Sequence, residues 1–95
     1  MEWKIRHEQN VRTGNFYINK DCDRIAFLYY FEDPEGVLQL IHTFVSDELR
    51  GQQIASKLVA YATEYAQNNK LKLQAICPYV VKWFERYPDK KDILV

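Results

Sequence analysis

Glycine and proline are scarce, with three of each in 95 residues. That excludes a collagen-like or low-complexity chain. Neither sign of charge is in excess, because thirteen Lys and Arg balance thirteen Asp and Glu. Nucleic-acid binding draws much of its affinity from neutralised phosphates, so nucleic acid is not an expected partner. No apolar run approaches the roughly 18 residues of a membrane-spanning helix, so no membrane association is expected. The stretch Met1-Glu2-Trp3-Lys4-Ile5-Arg6-His7-Glu8 is charged throughout. It predicts no secretory leader and a cytoplasmic location. Cysteine is also rare. Cys22 and Cys77 allow at most one bridge, and both are expected as thiols in a reducing compartment. Neither belongs to a CxxC, and no Cys/His cluster has zinc-ligand spacing.

What is present is a globular balance: 47% hydrophobic and 27% charged residues. A chain of this size buries about 60–68% of its surface, enough for one small core. No repeat or linker divides it, so residues 1–95 are read as one domain, expected to be a monomer. Alternation predicts strands over 2–8, with Trp3 and Ile5 on one face, and over 15–20. A stronger strand spans Arg24–Glu32. Its two faces, Ile25/Phe27/Tyr29/Phe31 and Ala26/Leu28/Tyr30, are both apolar, which predicts a central strand covered on both sides. Asp33-Pro34-Glu35-Gly36 is a type I turn pattern, and Val37–Val45 should return antiparallel.

The period then changes. Ile54, Ala55, Leu58, Val59, Ala62, Tyr65 and Ala66 recur at helical spacing, predicting an amphipathic helix of about five turns. Asn68-Asn69-Lys70 is its expected stop, with Asn tolerating the left-handed conformation. A strand follows over Leu71–Cys77. Pro78 suits a first helical position, and Tyr79–Tyr87 reads as a short second helix. The order β-β-β-β-α-β-α predicts an α+β fold. It is an antiparallel four-stranded meander joined to one parallel strand through a right-handed β-α-β unit, with helices packed on the sheet.

The informative segment runs from His42 to Leu58. A strand ends, a turn bearing Arg50 and Gly51 follows, and a long helix starts. Helix N-termini leave backbone N–H groups unpaired and carry partial positive charge, so such a turn makes a phosphate cradle. The bare pattern is equally compatible with an ordinary turn and a solvated Arg50. The segment resembles the coenzyme-binding motif of the GNAT acetyltransferase superfamily, R/Q-x-x-G-x-G/A. Ile41-His42-Thr43, Leu49-Arg50-Gly51-Gln52 and Ala55-Ser56-Lys57-Leu58 carry the likeness. A second run, Cys77-Pro78-Tyr79-Val80 with Trp83-Phe84 and Tyr87-Pro88 behind it, extends it over nearly the whole chain. The likeness is to the minimal branch of that superfamily.

The resemblance implies an acetyl-coenzyme A-dependent N-acetyltransferase. Its amine acceptor is unknown and is allowed to be part of a protein. The alternative is a coenzyme A-binding or protein-interaction module without turnover. Backbone N–H groups of Arg50, Gly51, Gln52, Gln53, Ile54 and Ala55 would hold the coenzyme pyrophosphate. Phe44 and Val45 would lie beside the pantetheine arm, in a gap where the fourth and fifth strands splay. The central motif glycine is Gln53 here, which places a side chain where a phosphate approaches. Three residues are candidates for the reacting end. Cys77 precedes a Pro-initiated helix, whose N-terminal field favours a thiolate. It is read either as an acetyl acceptor or as a buried small residue. His42, on the strand face of Leu38, Leu40 and Phe44, is a candidate base or a hydrogen-bonded core residue. Tyr79 lies in the first turn of the last helix, near the coenzyme thiol or simply packed. Cys22, between two Asp residues, is read as inert.

Overall fold

The computed structural model describes residues 4–49 and 51–95. Trp3 and Arg50 lie outside the described residues. The elements follow the expected order. They are β1 Arg6–Gln9, β2 Thr13–Lys20, β3 Asp23–Glu32, β4 Val37–Val45, α1 Ile54–Asn68, β5 Lys72–Ala75 and α2 Pro78–Arg86. Short 3-10 turns cover Asp47–Leu49 and Pro88–Ile93. The five strands lie in sequence order across one sheet, antiparallel except for the β4–β5 pair. A helix between β4 and β5 allows that parallel step.

The hairpin between β3 and β4 closes as its residues require. Asp33 Oδ1 accepts from the N–H groups of Glu35 and Val37 at 2.8 and 3.0 Å. Gly36 takes φ 83°, a region open to glycine without a Cβ clash. The helix stops within Asn68-Asn69-Lys70 as expected, but the left-handed residue is not an asparagine. Lys70, at φ 58°, takes the left-handed position. Leu71 N–H then reaches Ala66 O at 2.8 Å and Lys70 N–H reaches Gln67 O at 3.3 Å, which is a Schellman closure. Asn69 contributes instead through its side chain, donating to Tyr65 O at 2.8 Å.

The core has one side. Phe16, Ala26, Leu28, Tyr30, Leu38, Leu40 and Leu73 pack with Ile54, Leu58, Val59, Ala62 and Ala66 of α1 and with Val80, Trp83 and Phe84 of α2. Thr63 joins them, its hydroxyl bonded to Val59 O at 2.9 Å. β3 is central, but only its Ala26/Leu28/Tyr30 face is covered by helices. Phe27, Tyr29 and Phe31 on the other face are half-buried, against the expectation of cover on both sides. Cross-strand rings shield them: Phe27 stacks on Phe44 with centroids 5.5 Å apart, and Arg24 lies over the Tyr17 ring at 4.0 Å.

One irregularity positions the site. Tyr29 pairs with His42, whereas Tyr30 pairs with Leu40. Ile41 is therefore an extra residue, a β-bulge in β4. Side chains alternate along a strand, so one added residue reverses the faces beyond it. Leu38 and Leu40 are buried on the helix side, but His42 and Phe44 are exposed. His42 does not share the face of Leu38 and Leu40 as its spacing suggested.

Candidate functional site

β4 and β5 pair only from Val37–Lys72 to Leu40–Ala75. Ile76 and Cys77 both donate their N–H to Leu40 O, at 3.1 and 2.9 Å, and there the ladder ends. β5 is shorter than the expected Leu71–Cys77. Cys77 is the N-cap residue of α2 (φ −60°, ψ 130°), with Pro78 in the first turn. β4 continues to Val45, paired only with β3. Ser46 N–H donates to Ile25 O at 2.8 Å. By the antiparallel alternation, Thr43 and Val45 then turn their N–H and C=O groups away from β3 into the gap. Phe44, 46% exposed, faces the opposite sheet surface and pairs with Phe27. Of the two residues expected beside the coenzyme arm, Val45 borders the gap and Phe44 does not; Thr43 borders it instead.

Across this gap the Thr43 hydroxyl lies 3.2 Å from the Cys77 sulfur. The Cys77 residue is 8% exposed. Burial raises its thiol pKa. The Thr43 hydroxyl and the backbone N–H groups of Tyr79, Val80 and Thr43 oppose burial and win, leaving the thiol below its ordinary value. His42 lies on the other face and is exposed, so the structure does not bring Cys77 and His42 together.

The start of α1 forms the second part. Gln53 is its N-cap residue in the left-handed region (φ 57°, ψ 34°) and makes no side-chain cap bond, and no acidic residue occupies the first turn. The first N–H groups of a helix have no intrahelical acceptor, so this end presents donors and partial positive charge to a recess. The recess, about 190 Å³, is lined by Val45, Leu49, Gly51, Gln53, Ile54, Ala55 and Tyr79. Six of the nine residues expected at a coenzyme site are thus brought together. Gly51 has φ 83°, with open space around its Cβ position. Gln52 is exposed, its N–H on Leu49 O at 3.3 Å.

Tyr79 is anchored. Burial raises its phenol pKa, against Arg86 and a hydrogen bond with Ser56. Trp83 Nε1–H also donates to Ser56 Oγ, at 2.9 Å. One serine in the first turn of α1 therefore ties α2 to the recess. Sequence reasoning missed Thr43 and Ser56. Thr43 lay within the noted Ile41-His42-Thr43 run, but only the bulge directs it to Cys77. Ser56 lay within the noted Ala55-Ser56-Lys57-Leu58 run, but its partners come from another helix. Cys22 is an exposed free thiol. Among the described residues no group of three or more His, Cys, Asp or Glu is arranged to hold a metal. No described helix is long and apolar enough to cross a membrane.

Comparison with known proteins gives consistent matches. Residues 15–93 match the GCN5-related N-acetyltransferase family. The NATD1 protein of Xenopus tropicalis is 29% identical over 85 residues, covering 90% of this chain and 77% of its own length. Human NATD1 is 28% identical over 85 residues, covering 90% of this chain and 74% of its own. Among solved structures, a GCN5-like protein from Staphylococcus aureus superposes with TM-score 0.71 at 28% identity, over 95% of this chain and 87% of that one. A ribosomal-protein-alanine N-acetyltransferase from Brucella melitensis shares the fold, with TM-score 0.65 at 20% identity, over 83% of this chain and 64% of that one.

Proposed function

This chain belongs to the GCN5-related N-acetyltransferase family, and we propose that it binds acetyl-coenzyme A and passes the acetyl group to an amine. The observation that carries the reading is a coincidence at one end of the sheet. An uncapped helix start, an unpaired β4 edge and a partly activated thiol border the same gap. Backbone N–H groups of Gly51, Gln52, Gln53, Ile54 and Ala55 suit a pyrophosphate, with Arg50 as the additional cation suggested by the motif. The Thr43 and Val45 edge suits the amide-bearing pantetheine arm, which pairs as a strand would. Tyr79 closes the recess beside it.

Two transfer routes fit these groups. In the first, the Cys77 thiolate attacks the acetyl carbonyl carbon. A new C–S bond forms, the old thioester bond breaks, and coenzyme A leaves as a thiolate that takes a proton from solvent. The acceptor amine then attacks the Cys77 thioester. Cys77 leaves as thiolate, and the amine's proton passes to solvent. In the second, the amine attacks the coenzyme thioester directly and His42 removes its proton; the C–S bond breaks, and coenzyme A leaves as a thiolate that takes a proton from solvent. The pKa-lowering contacts on Cys77 favour the first. A coenzyme-binding module without turnover is the second reading. Its support is the separation of His42 from Cys77, which leaves the thiol without an imidazole base.

The deciding experiment is a titration with acetyl-coenzyme A followed by backbone amide shifts. Shifts in residues 43–55 are expected, and none at millimolar ligand overturns the coenzyme reading. An acetyl adduct on Cys77 by mass spectrometry, absent in Cys77→Ala, supports the covalent route. Acetyl-coenzyme A consumption with amines but no adduct supports direct transfer.

A further inference from the structure

Tyr61, Glu64, Tyr65 and Asn68 stand at i, i+3, i+4 and i+7, so α1 carries them along one flank. That flank faces β1 and β2. Tyr61 and Tyr65 both pack on Phe16, at centroid distances of 5.6 and 5.5 Å, and Tyr65 meets His7 at 4.7 Å. With Asn69, these four residues line a pocket of about 190 Å³. We infer that it binds a primary alkylammonium group, the chemistry of a lysine side chain or of a free aliphatic amine. Its size lies below the roughly 300–1,000 Å³ of sites that enclose a whole drug-sized ligand, and so suits an ammonium with a short stem. The recess and the Thr43–Cys77 gap share none of its residues, so its occupancy does not depend on coenzyme A.

Three features act on the same cation. Tyr61 is 39% exposed and Tyr65 half-buried, and the face of a tyrosine ring attracts a cation through its quadrupole. Phe16 is fully buried beneath and braces both rings, so little freedom is lost in ordering them. Glu64 adds a full negative charge. Its carboxylate has no hydrogen bond or ion pair among the described residues, and no Lys or Arg lines the pocket. Burial, and after it the Glu32 carboxylate, raise the Tyr65 phenol pKa, so a second negative charge reaches the same ring. The end of α1 is the third feature. A helix C-terminus carries partial negative charge that favours cations, and the last turn of α1 holds no basic residue. Lys70 stands beyond the cap and outside the lining. An ammonium brings three N–H donors. Glu64 and the amide oxygens of Asn68 and Asn69 are the acceptors in the lining. Asn69 donates its amide N–H to Tyr65 O at 2.8 Å, which leaves its amide oxygen to accept.

The test titrates n-butylammonium chloride into the full chain at constant ionic strength, with 1-butanol as the neutral match. The Tyr65 ring signals and the amides of residues 64–69 are followed by NMR. Saturable shifts with a dissociation constant in the millimolar range are expected, at least about fivefold tighter than for butanol. Glu64→Gln should weaken ammonium binding by about threefold or more. Tyr61→Leu keeps apolar bulk on Phe16 but has no ring face, and should weaken it to a similar degree. Tyr61→Phe keeps the face and should bind as the wild type does. Amide spectra check the fold of each variant. Nα-acetyl-lysine methylamide separates the two sources. Binding tighter than that of butylammonium assigns the pocket to a lysine within a polypeptide, and equal or weaker binding assigns it to a free amine. No saturable shift up to about 100 mM butylammonium overturns the site. So does equal binding of butanol, and so does ammonium binding unchanged in both Glu64→Gln and Tyr61→Leu.

Discussion

The Thr43 hydroxyl stands 3.2 Å from the Cys77 sulfur, joining the two strands where their ladder has ended. The contact exists because Ile41 is an extra residue in β4. Without the bulge, His42 and not Thr43 would point at the thiol.

Thr43→Val should raise the Cys77 thiol pKa toward its ordinary value, since the hydroxyl opposes burial there. A hydrogen bond to a charged group contributes about 1.5–3 kcal/mol, so alkylation of Cys77 at neutral pH should slow by roughly tenfold or more. The pH dependence of iodoacetamide labelling in a Cys22→Ala background checks this. His42→Ala should leave that profile unchanged, because the imidazole lies on the other face.

Gln53 occupies the left-handed region at φ 57°. A residue with a Cβ pays about 1–2 kcal/mol there, and glycine does not. Gln53→Gly should stabilise the fold by up to about 1 kcal/mol, after its larger unfolded-state entropy is subtracted. Urea denaturation measures the gain. On the proposed coenzyme reading, tighter acetyl-coenzyme A binding should accompany it, since a glycine there would leave more room for a phosphate.

His7 bonds Tyr30 through Nε2 and stacks on Phe16 with centroids 4.5 Å apart. Burial lowers its pKa below the ordinary histidine value, and Glu8 only partly opposes it. The unfolded chain therefore takes up a proton at a higher pH than the folded one. Stability should be flat above about pH 6.5 and fall as pH drops from there through the folded pKa. His7→Gln should remove the slope in that window. Urea midpoints at neutral and mildly acidic pH decide it, and equal slopes in the two proteins would falsify the assignment.

Gly14 faces the Tyr30 ring. A Cβ there would collide with the Tyr30 hydroxyl and the Glu8 carbonyl. Gly14→Ala should cost about 1–3 kcal/mol by overpacking, read as a lower melting temperature.

Periodicity was sufficient for the element order, the β3–β4 turn and the amphipathic face of α1, because each is a local pattern with a local cause. Asp33-Pro34-Glu35-Gly36 closes through its own side chain and backbone. The Arg50–Ala55 motif marked the helix start in the same way. Other features had no local cause. Lys70 takes the left-handed position because the Schellman bonds to Ala66 and Gln67 demand it, whichever residue stands there. The second face of β3 reads as core, but among the described residues its Phe27 is shielded by a cross-strand partner, Phe44. The site turns on parity. Alternation alone puts His42 with Leu40, and only the pairing of β3 with β4 shows that Ile41 is surplus. A strand records which residues alternate, but the register against its neighbour decides which face each one reaches.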